Sequence, residues 1–206
     1  MAQVTLKDLT AVAFLDPAGT KTGQAIKRTA SRAAFICILY DWLTRIFVVH
    51  AHAARMPVTE MEERVFEVHR KWHTQVFGIE ANGLQSLFGE SLAQRARIAG
   101  TPIPIYPVIH PTRVEKDFRI RAAIRPTMAQ GRLFIHPSLL ELRAEISSFP
   151  MSPKKDLVDA LASAISLVPP ATVARVEDSE KASRLAYLRA TGAHPSYIEA
   201  VATGRA

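Results

Sequence analysis

The chain has 206 residues, 48% of them hydrophobic and 22% charged, which is enough for one substantial domain and an appendage. Its 26 Lys and Arg against 19 Asp and Glu leave a net charge of +7, a balance that favours polyanions, nucleic acid first and acidic membranes second. A lone cysteine, Cys37 in AAFICILY, excludes a disulfide framework and a thiolate zinc centre and suits a reducing cytosol; no apolar run is long enough for a membrane span, and MAQVTLKDLT lacks the order of a signal peptide.

TAVAFLD, residues 10 to 16, is an apolar run that stops on an acid before PAG, and reads as a strand ended by a turn. The small, polar and basic segment to residue 31 reads as a loop. Strands are expected at Arg32–Tyr40 and Thr44–His50, joined by a tight hairpin at Asp41-Trp42-Leu43. Residues 57 to 73 repeat Met61, Val65, Val68 and Trp72 at helical spacing, with Thr59 as the expected N-cap. QVFGIEA, residues 75 to 81, is a further short strand with an acid, Glu80, near its end, and a helix follows to about residue 100. PIPIYPVI interleaves proline with apolar residues, which suits a sheet edge. Then come a basic helix over TRVEKDFRIRAAIRP, a short strand Arg132–His136, a helix SLLELRAEISSF and a last helix from Asp156 to Val168, closed by Pro169-Pro170. The order β-β-β-α-β-α-β-α-β-α-α implies an α/β domain over residues 1–170. Its mixed sheet has an antiparallel three-stranded opening and helices on its faces. Residues 171–206 differ in composition and read as an appendage, partly helical or flexible, with one amphipathic stretch, EKASRLAYLRATG.

Asp16 and Glu80 stand at strand ends, and Asp156 and Asp159 open the last helix three residues apart, on one face. Taken singly, a strand-end acid is an ordinary solvated loop residue and a first-turn Asp an ordinary dipole partner. Taken together, with the first and fourth strands as neighbours, they form a set of carboxylates that repel one another unless cations lie between them. Mg²⁺ and Mn²⁺ are the hard ions such oxygen ligands suit. Two such ions about 4 Å apart can activate a water and stabilise the leaving oxygen of a phosphodiester.

FLDPAGTKTG, FGIEANG, RVEKDFRIRAAIRPTMAQGRLFI and LLELRAEISSFPMSPKKDLVDALASAI, in this order, resemble the nuclease domain of the large terminase subunit of tailed bacteriophages over about residues 10 to 168. The resemblance implies an RNase H-like, resolvase-related fold and an endonuclease that cuts double-stranded viral DNA with two Mg²⁺ or Mn²⁺ ions during genome packaging. It implies Asp16, Glu80 and Asp156 as the metal-holding catalytic acids. Asp159 is an accessory or alternative ligand, because resolvases of the wider group space two acids as in D-L-V-D-A-L. A family histidine just before this acid is replaced by Ser152, Pro153 and Lys154. Lys116 and Arg119 match a basic pattern of the family and, with Arg113, Lys21 and Lys27, are the expected phosphate contacts. The implied partners are double-stranded DNA, the ATPase part of the terminase, the portal and the small terminase subunit, in the host cytoplasm during phage assembly.

GTKTGQ, residues 19 to 24, lacks the Gly-Lys pair of a phosphate loop, so ATP hydrolysis is not expected of this chain, which reads as an excised domain. A junction-resolving nuclease of the same superfamily and a non-catalytic DNA-binding packaging module are the competing readings. His69 and His73 have zinc-helix spacing, but Arg70 stands where a metalloprotease needs Glu. No serine has a nucleophile-elbow setting.

Overall fold

A computed structural model of the chain describes residues 6–17, 32–81, 85–110 and 113–169. Lys21, Lys27 and residues 171–206 lie outside them. The chain divides into one unit of Met1–Asp41 with Arg45–Pro169, and a second of Trp42–Thr44 with Pro170–Ala206. The first unit contains every element described below.

After a 3-10 turn at Leu6–Asp8, the elements are β1 (Thr10–Asp16), β2 (Ala33–Tyr40), β3 (Ile46–Ala54), α1 (Val58–Trp72), β4 (Val76–Glu80), α2 (Gln85–Ile98), β5 (Ile105–Val108), α3 (Lys116–Ala129), β6 (Leu133–Ile135), α4 (Leu140–Ser148) and α5 (Asp156–Ser166). The strands form one sheet in the order β5-β4-β1-β2-β3-β6. β1, β2 and β3 are antiparallel neighbours, whereas β4 runs parallel to β1, β5 to β4 and β6 to β3. No helix among the described residues is long and apolar enough to cross a membrane.

β1 is apolar without alternation because it lies at the centre of the sheet and is covered on both faces. Val12 and Phe14 point to one face, with Ile36, Leu157, Val158 and Leu161. Ala13 and Leu15 point to the other, with Phe35, Phe77, Met61, Val65 and Leu92 from β2, β4, α1 and α2. The prolines of PIPIYPVI fit β5 at the sheet edge, where a missing N–H breaks no ladder bond. Gly78 of β4 is required by close approach. A Cβ there would lie 2.5 Å from Leu167 Cδ1 and 2.8 Å from Phe14 Cδ2, so only hydrogen leaves room for the end of α5.

The differences from the sequence expectations are local. α1 starts at Val58 with Pro57, not Thr59, at its N-cap; the proline φ of −68° presets the helical entry with no side-chain cap. β3 continues past His50 to Ala54 because Ala51, Ala53 and Ala54 find partners along β2, so two histidines sit inside a strand. α3 begins at Lys116 rather than near Thr112 and runs through Pro126 to Ala129.

α5 is buried along most of its length, from Leu157 to Ala164. Its alanines leave little side-chain bulk between helix and sheet, so the helix backbone comes close to β1 and β2. That closeness carries Asp156 and Asp159 to the sheet.

Candidate functional site

The carboxyl end of β1 is the origin of the site. The parallel ladder pairs Leu15 with Ile79, and its next step sets Asp16 beside Glu80 on the neighbouring strand, about 5 Å away. Phe14 faces α5, and Gly78 faces Leu167 at the end of α5. Side chains two residues apart share a face, so Asp16 and Glu80 both project toward the α5 layer. β2 runs the opposite way, with Ala34 opposite Asp16, so Arg32 lies at the same edge. α5 crosses this edge with Asp156 and Asp159 in its first turn.

Asp156 is partly exposed, and its Oδ2 accepts a hydrogen bond of 2.8 Å from Arg32 Nε. Arg32 also reaches Glu141 and Glu145, so three carboxylates surround one guanidinium. Asp159 is 4% exposed. Its Oδ1 accepts from Arg119 Nη2 at 2.6 Å and its Oδ2 from Lys116 Nζ at 2.9 Å. Arg119 Nη1 donates to His110 Nε2 at 2.8 Å and to Ser163 Oγ at 3.1 Å. An arginine can only donate, so Nε2 is the unprotonated nitrogen and His110 carries its proton on Nδ1. Burial first, and then the neighbouring Arg119, hold His110 below the ordinary imidazole pKa, in keeping with the neutral ring.

Lys116 ties the acids together. Burial works to lower the pKa of its ammonium, but Asp159, Asp16 and Asp156 all pull the other way, and the net result is a raised value. One cation therefore feels carboxylates from β1 and from two positions on α5, with Glu80 beside Asp16. That cation is the protein's own: among the described residues no three acids or histidines stand close enough to share a metal ion as placed. The reason is visible in the pairing. The guanidiniums of Arg32 and Arg119 and the ammonium of Lys116 already neutralise Asp156 and Asp159.

The donor set, all carboxylate oxygen, is of the type that hard divalent ions take. Asp16, Glu80 and Asp156 offer that donor chemistry, with Asp156 partly exposed. Asp159 suits such an ion poorly, since both its oxygens are committed in a nearly dry site. Lys116 and Arg119, expected on phosphates, both engage Asp159 instead, because α3 turns that side onto α5. Arg113 is exposed in the turn before α3.

Sequence reasoning missed Arg32, His110 and Glu145. Glu145 is buried, and burial pushes its carboxyl pKa upward, against the opposing pull of backbone N–H groups and Arg32. The position of His110, two residues past the end of a strand parallel to β4, is the one signal that pointed to it.

The antiparallel β1–β3 meander, the parallel additions on either side and α5 laid across the strand ends define an RNase H-like fold. The structure is similar to the P22 large terminase nuclease domain, with a TM-score of 0.52 and 10% identity over 75% of this chain and 79% of that one. It is also matched by a manganese-bound nuclease domain of the large terminase subunit of bacterial virus Sf6, with a TM-score of 0.49 and 12% identity, covering 78% of this chain and 89% of that one. The T. thermophilus RuvC in complex with Holliday junction substrate matches with a TM-score of 0.44 and 14% identity, over 76% and 92% of the two chains. At these identities the likeness is one of fold. No family model matches the chain, and no curated protein matches it.

Proposed function

We propose that this chain is a metal-dependent endodeoxyribonuclease of the terminase type, cutting double-stranded DNA with little sequence preference during the packaging of a viral genome. The observation that carries the reading is geometric: β1 and β4, which end at Asp16 and Glu80, are parallel neighbours, and α5 packs on β1 with Asp156 and Asp159 in its first turn. On this reading these acids, from distant parts of the chain, share a divalent cation. The fold and the motif order quoted above support the nuclease class. The packaging role, with the ATPase part of the terminase, the portal and the small terminase subunit as partners, rests on the sequence resemblance.

Asp16, Glu80 and Asp156 would hold one or two Mg²⁺ or Mn²⁺ ions. Bound there, such ions supply Lewis-acid polarisation of a phosphodiester and an acidified water. The protein's own residues do the rest. Arg32 holds one oxygen of Asp156. Asp159 anchors the start of α3 to α5 through Arg119. Lys116, kept protonated, is placed to donate to a phosphate oxygen once it leaves Asp159.

The test is nicking of supercoiled plasmid by the full chain with Mn²⁺. Asp16→Asn and Asp156→Asn should each lose more than about a hundredfold in rate, and chelator should abolish cutting. DNA left intact by the wild-type protein, with binding retained, would favour a non-catalytic packaging module. The two acids of α5 separate terminase from resolvase. Asp159 is committed to Lys116 and Arg119, which favours a three-acid site. Asp159→Asn should therefore keep cleavage per folded molecule within about tenfold, whereas a resolvase-like four-acid site predicts a loss as deep as that of Asp156→Asn. A strong preference for four-way junctions over linear duplex would likewise overturn the terminase reading.

A further inference from the structure

α5 begins without a cap of its own. The residue at its N-cap, Lys155, makes no side-chain bond to the helix; its ammonium goes to both oxygens of Asp117 at 2.8 Å. The orphan N–H groups of the first turn are those a Ser, Thr, Asn or Asp N-cap normally satisfies at the second and third helical positions. Here these are Leu157 and Val158. Their amides donate to Glu145 Oε2, from the neighbouring helix α4, at 2.9 and 3.1 Å. The other oxygen of the same carboxylate, Oε1, accepts from Arg32 Nη2 at 3.0 Å, and Arg32 Nε holds Asp156. Glu145 is 3% exposed, so water does not stand in for these bonds.

We infer that Glu145 is a positioning residue for the cation site: it caps α5 from outside the helix and, through Arg32, fixes the orientation of Asp156. The inference rests on the nuclease reading for its consequence, though not for its geometry. A carboxylate at a helix N-terminus is favoured by the dipole as well as by the two amides, and this one has no freedom to move, being held on three sides. Loss of the bond pair loosens the first turn of α5, and a misplacement on the order of 1 Å is enough to spoil a shared ligand set. Glu141 is the natural control. It contributes a second carboxylate to Arg32 but touches nothing in α5, and it is exposed to solvent. Removing either acid deletes one negative charge from the shell of Arg32, whereas only the loss of Glu145 uncaps the helix.

The experiment compares Glu145→Ala, Glu145→Gln and Glu141→Ala in the full chain, at a temperature where each is folded by circular dichroism. Mn²⁺ binding is followed by loss of the free-ion electron paramagnetic resonance signal, and DNA nicking is assayed alongside. Glu145→Ala should weaken Mn²⁺ binding about tenfold or more, Glu141→Ala less than about threefold, and Glu145→Gln, which keeps an acceptor for the amides, should fall between them. Equal effects of Glu145→Ala and Glu141→Ala, or none for Glu145→Ala, overturn the inference. If Glu145→Ala fails to fold, Glu145→Gln against Glu141→Gln carries the same comparison, with equality again counting against it. Amide hydrogen exchange at Leu157 and Val158 tests the cap without metal. It should speed up in the Glu145 variant but not in the Glu141 variant, and unchanged exchange overturns the cap. A wild-type protein that neither binds Mn²⁺ nor cuts DNA removes the nuclease reading, while the exchange result still decides the role of Glu145.

Discussion

The two faces of the sheet are built on opposite principles. On the face covered by α1 and α2, contact is made by Met61, Val65, Val68, Leu92, Phe35, Phe77 and Ile79, and among the described residues Glu62 is the buried charge of α1 and α2. Even Cys37 belongs there as a small hydrophobe, its thiol pushed up to about 12 by burial and so unreactive. On the α5 face an apolar floor of similar make meets a rim of buried or half-buried charged and polar groups: Arg32, Arg119, Glu145, Asp159, Ser163 and His110. Apolar packing stabilises in proportion to area and tolerates exchange at constant volume. Buried charge stabilises little when complete and costs heavily when broken. Both apolar layers therefore keep the domain folded, and the ionic rim of the second fixes the placement of the α5 acids.

The contrast can be tested from either side. The largest effect should come from Asp159→Asn, which keeps shape but removes the charge facing Lys116 and Arg119. A loss of roughly 4 kcal/mol in chemical denaturation is expected, and a loss below about 1 would mean that water already screens the pair. Leu92→Ala on the other face should cost about 3 kcal/mol through a cavity, while leaving the nicking rate per folded molecule unchanged, because nothing polar depends on that layer. A large loss of cutting there would show that the two faces are coupled. The smallest effect is one of pH. Burial first, then His52, Lys71 and Arg64, lower the pKa of His50 from 6.5 to about 4 against the opposing Glu67. The unfolded chain takes up this proton below pH 6.5 and the folded one only near pH 4, so stability falls as pH drops through that window, by on the order of 2 kcal/mol. His50→Gln should flatten the dependence of the melting temperature between pH 7 and 4; an unaltered slope would assign it to other groups.

How much of this was legible in the sequence follows from how local each cause is. The ends of β1 and β4 showed themselves because an apolar run stops at Asp16 and at Glu80; that the two strands are neighbours was a condition of the reading, which the parallel β1–β4 ladder meets. The pair in α5 was legible as a pair, since helical spacing alone puts residues 156 and 159 on one side. Their different fates were not legible. Whether a first-turn acid ends up dry between two cations or half in water depends on where α3 lies, and no local pattern encodes that. Arg32 and Glu145 are separated by 113 residues, and neither is unusual in its own segment. Capping misled at α1, where proline geometry replaced the expected Thr59, and gave no warning at α5, where the cap comes from another helix.

Gly78 carries a last consequence. The notch it leaves is filled by Leu167, just past the end of α5, while Glu145 grips the opposite end. Movement of the helix along its axis is opposed at both ends, by apolar packing at one and by hydrogen bonds at the other. For the proposed cation site this makes the Lys116 side chain the part that has to swing aside, a rotamer change rather than a backbone rearrangement.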